Sequence, residues 1–382
     1  MLHHGERPLE GDEGTYSVIA ANLVAGHGYA AGWTPAERHP TATRGPAYVL
    51  YLAAVYRLAG VRLVPPLLGQ CGMEVLSALL LYWIARRVFA DEGIALVAAG
   101  LYAFYPPFIV DTGELITEAL TNLLVLAAFA AFVAFLTRGR MRSLAWMGLA
   151  LGVCALSKPQ VAPVATLLPL AAWPTLGARR SLAGAALAST VTGLCLAPWV
   201  IRNALVLHAF VPGITTGGIS FWGGTAPFGG RFTGGLGAGW IPAAFRRRIQ
   251  AMDEVHQNRW FLADGVRIIL ADPRRYAKLC ARKFAQLWLN LGYDDPPSGS
   301  SWFLAAANLG AFLAAGWGAL RARPAAGVVL ALGALWAYWT AVNVAVCTVV
   351  RYAMPFYAIL LAFTAAGLVS AARRAAPAGA AA

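Results

Sequence analysis

Nine apolar stretches run through this chain, separated by polar junctions that are short except for residues 202–300, and every second junction is rich in arginine. The stretches lie at about 62–85, 93–110, 117–136, 143–157, 160–176, 182–201, 301–320, 325–346 and 352–372. Most reach the roughly 20 residues that a helix needs to cross a hydrocarbon core of ~30 Å. Such a pattern excludes an ordinary soluble domain, in which about a quarter of the residues are charged; here only 12% are charged and 59% are hydrophobic. An all-α polytopic membrane protein is expected, a bundle of about nine transmembrane helices.

Charge orients the bundle. The arginine-rich junctions are Arg86 and Arg87, then Arg138, Arg140 and Arg142, then Arg179 and Arg180, then Arg321 and Arg323, then Arg373 and Arg374. A bias of Lys and Arg toward cytoplasmic junctions makes these ends cytoplasmic. The alternate junctions then face outward, at Asp111 to Glu118, at Lys158 and Pro159, across the long segment 202–300, and at Arg351. The expected divisions are a first extracytoplasmic loop with interfacial helices (1–61), a membrane region (62–201), a large extracytoplasmic loop (202–300), a second membrane region (301–372) and a cytoplasmic tail (373–382). The formal charge of +13 reads as helix orientation and attraction to anionic membrane lipids, with no nucleic-acid partner. Cys71, Cys154, Cys195, Cys280 and Cys347 show no metal-ligand spacing and read as small core residues.

Three further segments carry local signals. Residues 12–29 place Tyr16, Ile19, Ala20 and Leu23 at helical spacing and meet Gly26 and Gly28, which predicts a helix lying on the membrane. The apolar piece 45–59 is short for a span and reads as interfacial or re-entrant, which keeps Asp12 on the outer face. In 202–300, glycines crowd between Gly213 and Gly239 without a following Gly-Lys-Ser/Thr, so a lid or an ordinary loop is expected rather than a phosphate loop. Further on, Tyr276, Leu279, Cys280, Phe284, Leu287, Trp288 and Leu291 form an apolar stripe flanked by Arg274, Arg275, Lys278, Arg282 and Lys283. That pattern predicts an interfacial helix whose basic side chains reach for headgroups.

Acids are scarce in this chain, and the expected outer face collects several of them. Asp12, Glu13, Asp111, Glu114 and Glu118 share it with Arg44, Lys158, Arg202 and Arg351. Charges near a bilayer cost a few kcal/mol unless they are paired or line a wet cavity. One reading is salt bridges and snorkelling anchors; the other is a shared polar cavity. A lipid-linked phosphate donor suits such a cavity, with cations on the phosphate and a carboxylate taking a proton from the acceptor. Glu114 and Glu118 stand four residues apart, and with Asp111 they are expected on one helical stripe. Asp12 with Asp111 or Glu114 is the alternative use of the acids, as hard oxygen ligands to Mg²⁺ or Mn²⁺.

Five motifs carry a resemblance. GDEGTYSVIAANLVAGHGY, followed by TATRGPAYVLYLAAVYRLAG, resembles the first extracytoplasmic loop of GT-C-fold glycosyltransferases, the protein-mannosyltransferase-like and aminoarabinose-transferase-like enzymes that use polyprenyl-phosphate sugars. TGELITEAL resembles their second acidic site. ALSKPQ resembles their Leu-Thr-Lys-Pro segment, LAPWVIRN their Pro-Trp-x-x-Arg-Asn segment, and RYAMPFYAILL their Arg-Tyr-x-x-Pro final helix.

The resemblance implies a glycosyltransferase of the bacterial inner membrane, its site facing the extracytoplasmic side. Its partners are a polyprenyl-phosphate sugar and a glycan, lipid or protein acceptor. It further implies Asp12 as the catalytic base with Glu13 beside it, and Glu118 as the acid of the second site. Lys158, Arg202, Arg351 and Tyr352 are expected at the cavity with Arg44, Asp111 and Glu114. No cofactor is required, and a divalent cation is the variant. The family's first transmembrane helix is missing ahead of residue 11, so a truncated start is expected; acceptor choice is expected to rest on the membrane region and the 202–300 loop. A transporter or flippase is the competing class, for which polar residues near the bilayer midplane and internal repeats are expected.

Overall fold

A computed structural model describes residues 9–227, 241–291 and 299–375. The glycine-rich residues 228–240 and the end of the expected tail, 376–382, lie outside the described residues. Seventeen α-helices fall within them. The first loop contains α1 (Gly11–Val24) and α2 (Pro46–Ala59), with a two-residue hairpin pairing between them, β1 (Ala30–Ala31) against β2 (His39–Pro40). The first membrane region holds α3 (Val64–Phe89), α4 (Glu92–Ala103), α5 (Pro106–Thr112), α6 (Glu118–Arg138), α7 (Met141–Ala155), α8 (Val164–Ala171), α9 (Trp173–Leu176) and α10 (Ala178–Leu207). Next come α11 (Gly217–Gly223), α12 (Ala243–Gln250), α13 (Glu254–Ala271) and α14 (Pro273–Leu289), and then α15 (Gly299–Ala322), α16 (Ala326–Ala345) and α17 (Met354–Ala375).

Among the described residues, six helices are long and apolar enough to cross a membrane, or seven if α4 and α5 count as one span bent by 48°. Pro106 and Pro107 explain the bend, because proline cannot donate into the preceding turn. Two of the expected nine spans, at 143–157 and 160–176, form shorter apolar helices instead. The architecture is all-α and polytopic.

The central pillar is α17. Every residue from Met354 to Gly367 is buried, as an apolar helix surrounded by other helices must be. It packs chiefly on α15 and α4, and also on α6 and α3. Small residues allow close crossing elsewhere: Gly148 and Gly152 of α7 admit the backbone of α10 around Ala188 and Thr192. The arginine-rich ends share one face, where Asp91 pairs with Arg373 and Glu92 with Arg86. The start of α6, the ends of α7 and α16 and the start of α17 lie at the opposite face.

Two expectations need correction. The apolar positions of helix α1 are not turned to lipid: Tyr16, Ile19 and Ala20 are buried against α2, with Ser17 hydrogen-bonded to Tyr56 at 2.9 Å. Its apolar positions are satisfied by protein, because the short α2 supplies a matching face. In α14 the basic residues do not all reach outward. Lys283 is fully buried and donates to the Val344 and Val346 carbonyls at 3.1 and 3.3 Å, while Arg275 folds back onto the Thr225 and Ala226 carbonyls. The Lys283 ammonium thus serves open carbonyls at the end of α16. Burial pulls its pKa down to about 8.

Candidate functional site

The charged residues meet because two tight approaches fold the first loop over the helix ends. A Cβ on Gly45 would stand 1.8 Å from the Leu156 carbonyl, so only glycine lets the Arg44 segment rest on the turn after α7. The Tyr48 amide then donates to Ser157 Oγ at 3.1 Å. A Cβ on Gly224 would likewise stand 1.8 Å from the Val346 carbonyl, which brings the turn after α11 against the end of α16.

A cavity of about 180 Å³ results, lined by Asp12, Arg44, Glu118, Lys158, Arg351 and Tyr352 together with uncharged side chains. Asp12 Oδ1 accepts from Arg44 Nη2 at 2.5 Å, and Asp12 Oδ2 accepts from Arg351 Nη2 at 2.5 Å. Glu118 Oε1 lies 2.8 Å from Lys158 Nζ and 3.4 Å from Arg351 Nε. Arg351 therefore bridges both acids. The Lys158 ammonium sits 5.1 Å from the Tyr352 ring centre, and the Arg44 guanidinium 5.0 Å from that of Tyr16.

Two carboxylates and three cations leave the lining one positive charge in excess. Arg44 Nε and Arg351 Nε are buried without a hydrogen-bond acceptor among the described residues, so the lining holds donors still to be filled. The two acids differ in access. The Glu118 side chain is 3% exposed, whereas that of Asp12 is 34% exposed and can meet an incoming molecule. Burial pushes the Asp12 carboxyl up, but the Arg44 and Arg351 guanidinium charges outweigh it and hold the group below the ordinary carboxylate range.

Four candidate residues are not part of the lining. Glu13 is buried and accepts from the Leu115 amide at 2.8 Å, so it ties α1 to the acidic turn. Arg202 donates to the Thr41 carbonyl at 2.7 Å and the Tyr29 carbonyl at 3.0 Å, and stacks over Tyr29 and Trp199. It holds the first loop onto α10. Asp111 and Glu114 do not share a stripe with Glu118, since α5 ends at Thr112 and α6 begins at Glu118. The intervening turn redirects the chain, and Glu114 is exposed. Among the described residues no three metal-ligating side chains converge, and both Asp12 oxygens face guanidinium groups. A divalent cation on Asp12, Asp111 and Glu114 does not fit this arrangement.

Sequence reasoning missed the uncharged lining. Ser157 and Gln160 flank Lys158 within a motif already singled out, and Tyr16 was visible only as a helical apolar position. Thr216 and Ser220, four residues apart on the α11 side, and Asn343 carry no sequence signal. Part of the expected glycine-rich loop is thus a helix walling the cavity.

The family model for dolichyl-phosphate-mannose-protein mannosyltransferase matches residues 39–201, less than half of the chain. That span includes Arg44, Glu118 and Lys158. No curated protein sequence matches the chain. Among solved structures, the archaeal oligosaccharyltransferase AglB from Archaeoglobus fulgidus, in complex with an inhibitory peptide and a dolichol-phosphate, superposes with a TM-score of 0.55 at 16% identity. The match covers 94% of this chain and 46% of AglB, so the chain spans about half the length of that protein. ArnT from Cupriavidus metallidurans also matches, in the apo state at 17% identity (94% and 72% of the two chains) and bound to undecaprenyl phosphate at 15% (96% and 75%), each with a TM-score of 0.44. The chain has a GT-C-type membrane fold and resembles the polyprenyl-phosphate-dependent glycosyltransferases that share it.

Proposed function

We propose that the protein is a membrane glycosyltransferase that moves a sugar from a polyprenyl-phosphate donor to a glycan, lipid or protein acceptor. The observation that carries this reading is the cavity in which Arg351 bridges Asp12 and Glu118 while Arg44 and Lys158 complete the charge. The family model for residues 39–201 and the GT-C fold support it. AglB was captured with a dolichol-phosphate and an inhibitory peptide, which supports a lipid phosphate and an acceptor as partners.

In this mechanism the donor phosphate takes up the Arg351 and Lys158 donors and loosens their hold on the acids. Asp12, the more exposed carboxylate, accepts the proton of the attacking acceptor group. The acceptor atom forms a bond to the anomeric carbon as the bond to the phosphate oxygen breaks, and the electron pair leaves with the phosphate. One displacement without a covalent nucleophile inverts the anomeric configuration. Glu118 holds Lys158 and Arg351 in place, and no step requires a metal or cofactor. In this reading the protein sits in the bacterial inner membrane, and the arginine-rich ends support placing the cavity on its extracytoplasmic side.

The test is transfer by the full chain in membranes with a panel of polyprenyl-phosphate sugars. At least one donor is expected to be used with inversion. Asp12→Asn is expected to lower transfer by roughly 10²–10⁴-fold while donor binding survives. Normal turnover in Asp12→Asn, or a trapped glycosyl-enzyme, overturns the mechanism. Donor-independent movement of a lipid across the bilayer, without transfer, identifies a flippase instead.

A further inference from the structure

Helix α14 turns two different faces to its surroundings. Leu279, Leu287 and Trp288 are buried, with Trp288 against Phe312 and Phe356 of α15 and α17. Tyr276 and Lys283 hold carbonyls at the end of α16, so the helix lies across that end. The other face carries Arg274, Lys278 and Arg282, spaced by four residues and all exposed. Like charges at this spacing repel, so the stripe opposes helix formation.

None of these three cations has an ion-pair partner among the described residues. Residues 241–291 contain ten Lys and Arg against four acids, and each acid is engaged elsewhere. Glu254 accepts from Thr41 and Ala42, Asp253 caps α13, Asp264 holds Trp222 and Arg267, and Asp272 caps α14 through the Arg275 amide. Arg275 is locked onto the Thr225 and Ala226 carbonyls, and with them closes a recess of about 470 Å³ beneath the stripe. The recess is separate from the cavity, although Gly224, next to Thr225, packs on Val346 of the cavity wall. Basic residues at this face run against the arginine bias that orients the bundle, so helix orientation does not explain them.

We propose that the Arg274–Lys278–Arg282 stripe, with the recess beneath it, is a second anion site that takes the phosphate headgroup of an anionic lipid. Among the described residues the recess sets four cations against one carboxylate, Asp272, whose Oδ1 caps α14, and this net positive lining defines the charge of the ligand. The position of α14, with Trp288 among the membrane helices and Phe284 exposed beside Arg282, favours a lipid over a soluble ion. Phosphate esters match the fork of Arg and the point charge of Lys.

The experiment uses the full chain in detergent and reads binding of dioctanoyl phosphatidylglycerol by thermophoresis, without any sugar donor, so the transfer reading and this one fail separately. Arg274→Gln, Lys278→Gln and Arg282→Gln together are expected to weaken binding on the order of 100-fold, at roughly five-fold per cation. Arg259→Gln, an exposed position on α13 outside the stripe and the cavity, is expected to leave it unchanged. Dioctanoyl phosphatidylcholine is expected to bind weakly and equally to both proteins. Equal phosphatidylglycerol affinity in the triple variant overturns the site and leaves a solvated basic face. Full displacement of the lipid by millimolar inorganic phosphate overturns the lipid assignment.

Discussion

Replacing Lys158 by Met leaves the Glu118 carboxylate buried with Arg351 as its remaining cation. The Lys158–Glu118 pair is 2.8 Å long, and its side chains are 8% and 3% exposed. At an effective dielectric of ~20 the gross attraction is about 6 kcal/mol, set against the desolvation of both ions. Removing one partner of such a pair typically costs ~3–5 kcal/mol, because the other charge stays buried. Arg351 Nε, 3.4 Å from the same oxygen, offsets part of that loss, so about 2–4 kcal/mol is expected for Lys158→Met. Glu118→Gln combined with Lys158→Met removes both charges and is expected to recover at least half of it. The measurement is thermal unfolding of purified protein in detergent for the wild type, both single variants and the double variant. Equal stability of Lys158→Met and wild type, or strictly additive losses in the double variant, refutes a coupled buried pair.

Gly45→Ala is expected to cost more than about 2 kcal/mol, since its Cβ meets the Leu156 carbonyl backbone and neither chain can move freely; unfolding within ~0.5 kcal/mol of wild type refutes the close approach. Arg202→Gln is expected to lower stability by about 2 kcal/mol through lost charge-assisted bonds to the first loop. Its donor affinity per folded molecule is expected to hold, and the reverse pattern in a binding assay makes Arg202 a phosphate ligand. The Asp12 carboxyl is depressed in the folded state, so its stabilising contribution is present above the unfolded pKa and is lost as pH falls through the folded one. The acid limb of kcat/KM, which reports the free protein, is accordingly expected below the ordinary value of 3.8, and a limb in kcat/KM at or above pH 5 contradicts the guanidinium pairing. Impermeant thiol labelling is expected to mark Lys278→Cys and Arg140→Cys from opposite sides, and labelling of both from one side refutes the assigned topology.

Hydropathy and charge are properties of neighbouring residues, and for that reason the membrane class, most helix positions and the segregation of arginine-rich ends were legible in the chain itself. The same holds for motif residues at helix mouths, Glu118, Lys158 and Arg351, which sit where an apolar run begins or ends. Spacing failed where a turn intervened. The separation of Glu114 and Glu118 fits a helical face only if the helix is continuous, and the turn after Thr112 breaks it. Spacing also failed for Lys283 and Arg202, whose charges are spent on backbone carbonyls that no local pattern identifies.

Only the tertiary structure decided which charges meet. Asp12 and Arg351 are 339 residues apart, and nothing in either segment names the other. Their contact depends on α17 standing at the centre of the bundle, on the first loop folding over the helix ends, and on Gly45 and Gly224 letting backbones approach within a side chain's width. An amino-acid sequence specifies what each helix end carries. Which ends share a cavity follows from packing summed over the whole bundle, and that is a property of the folded chain.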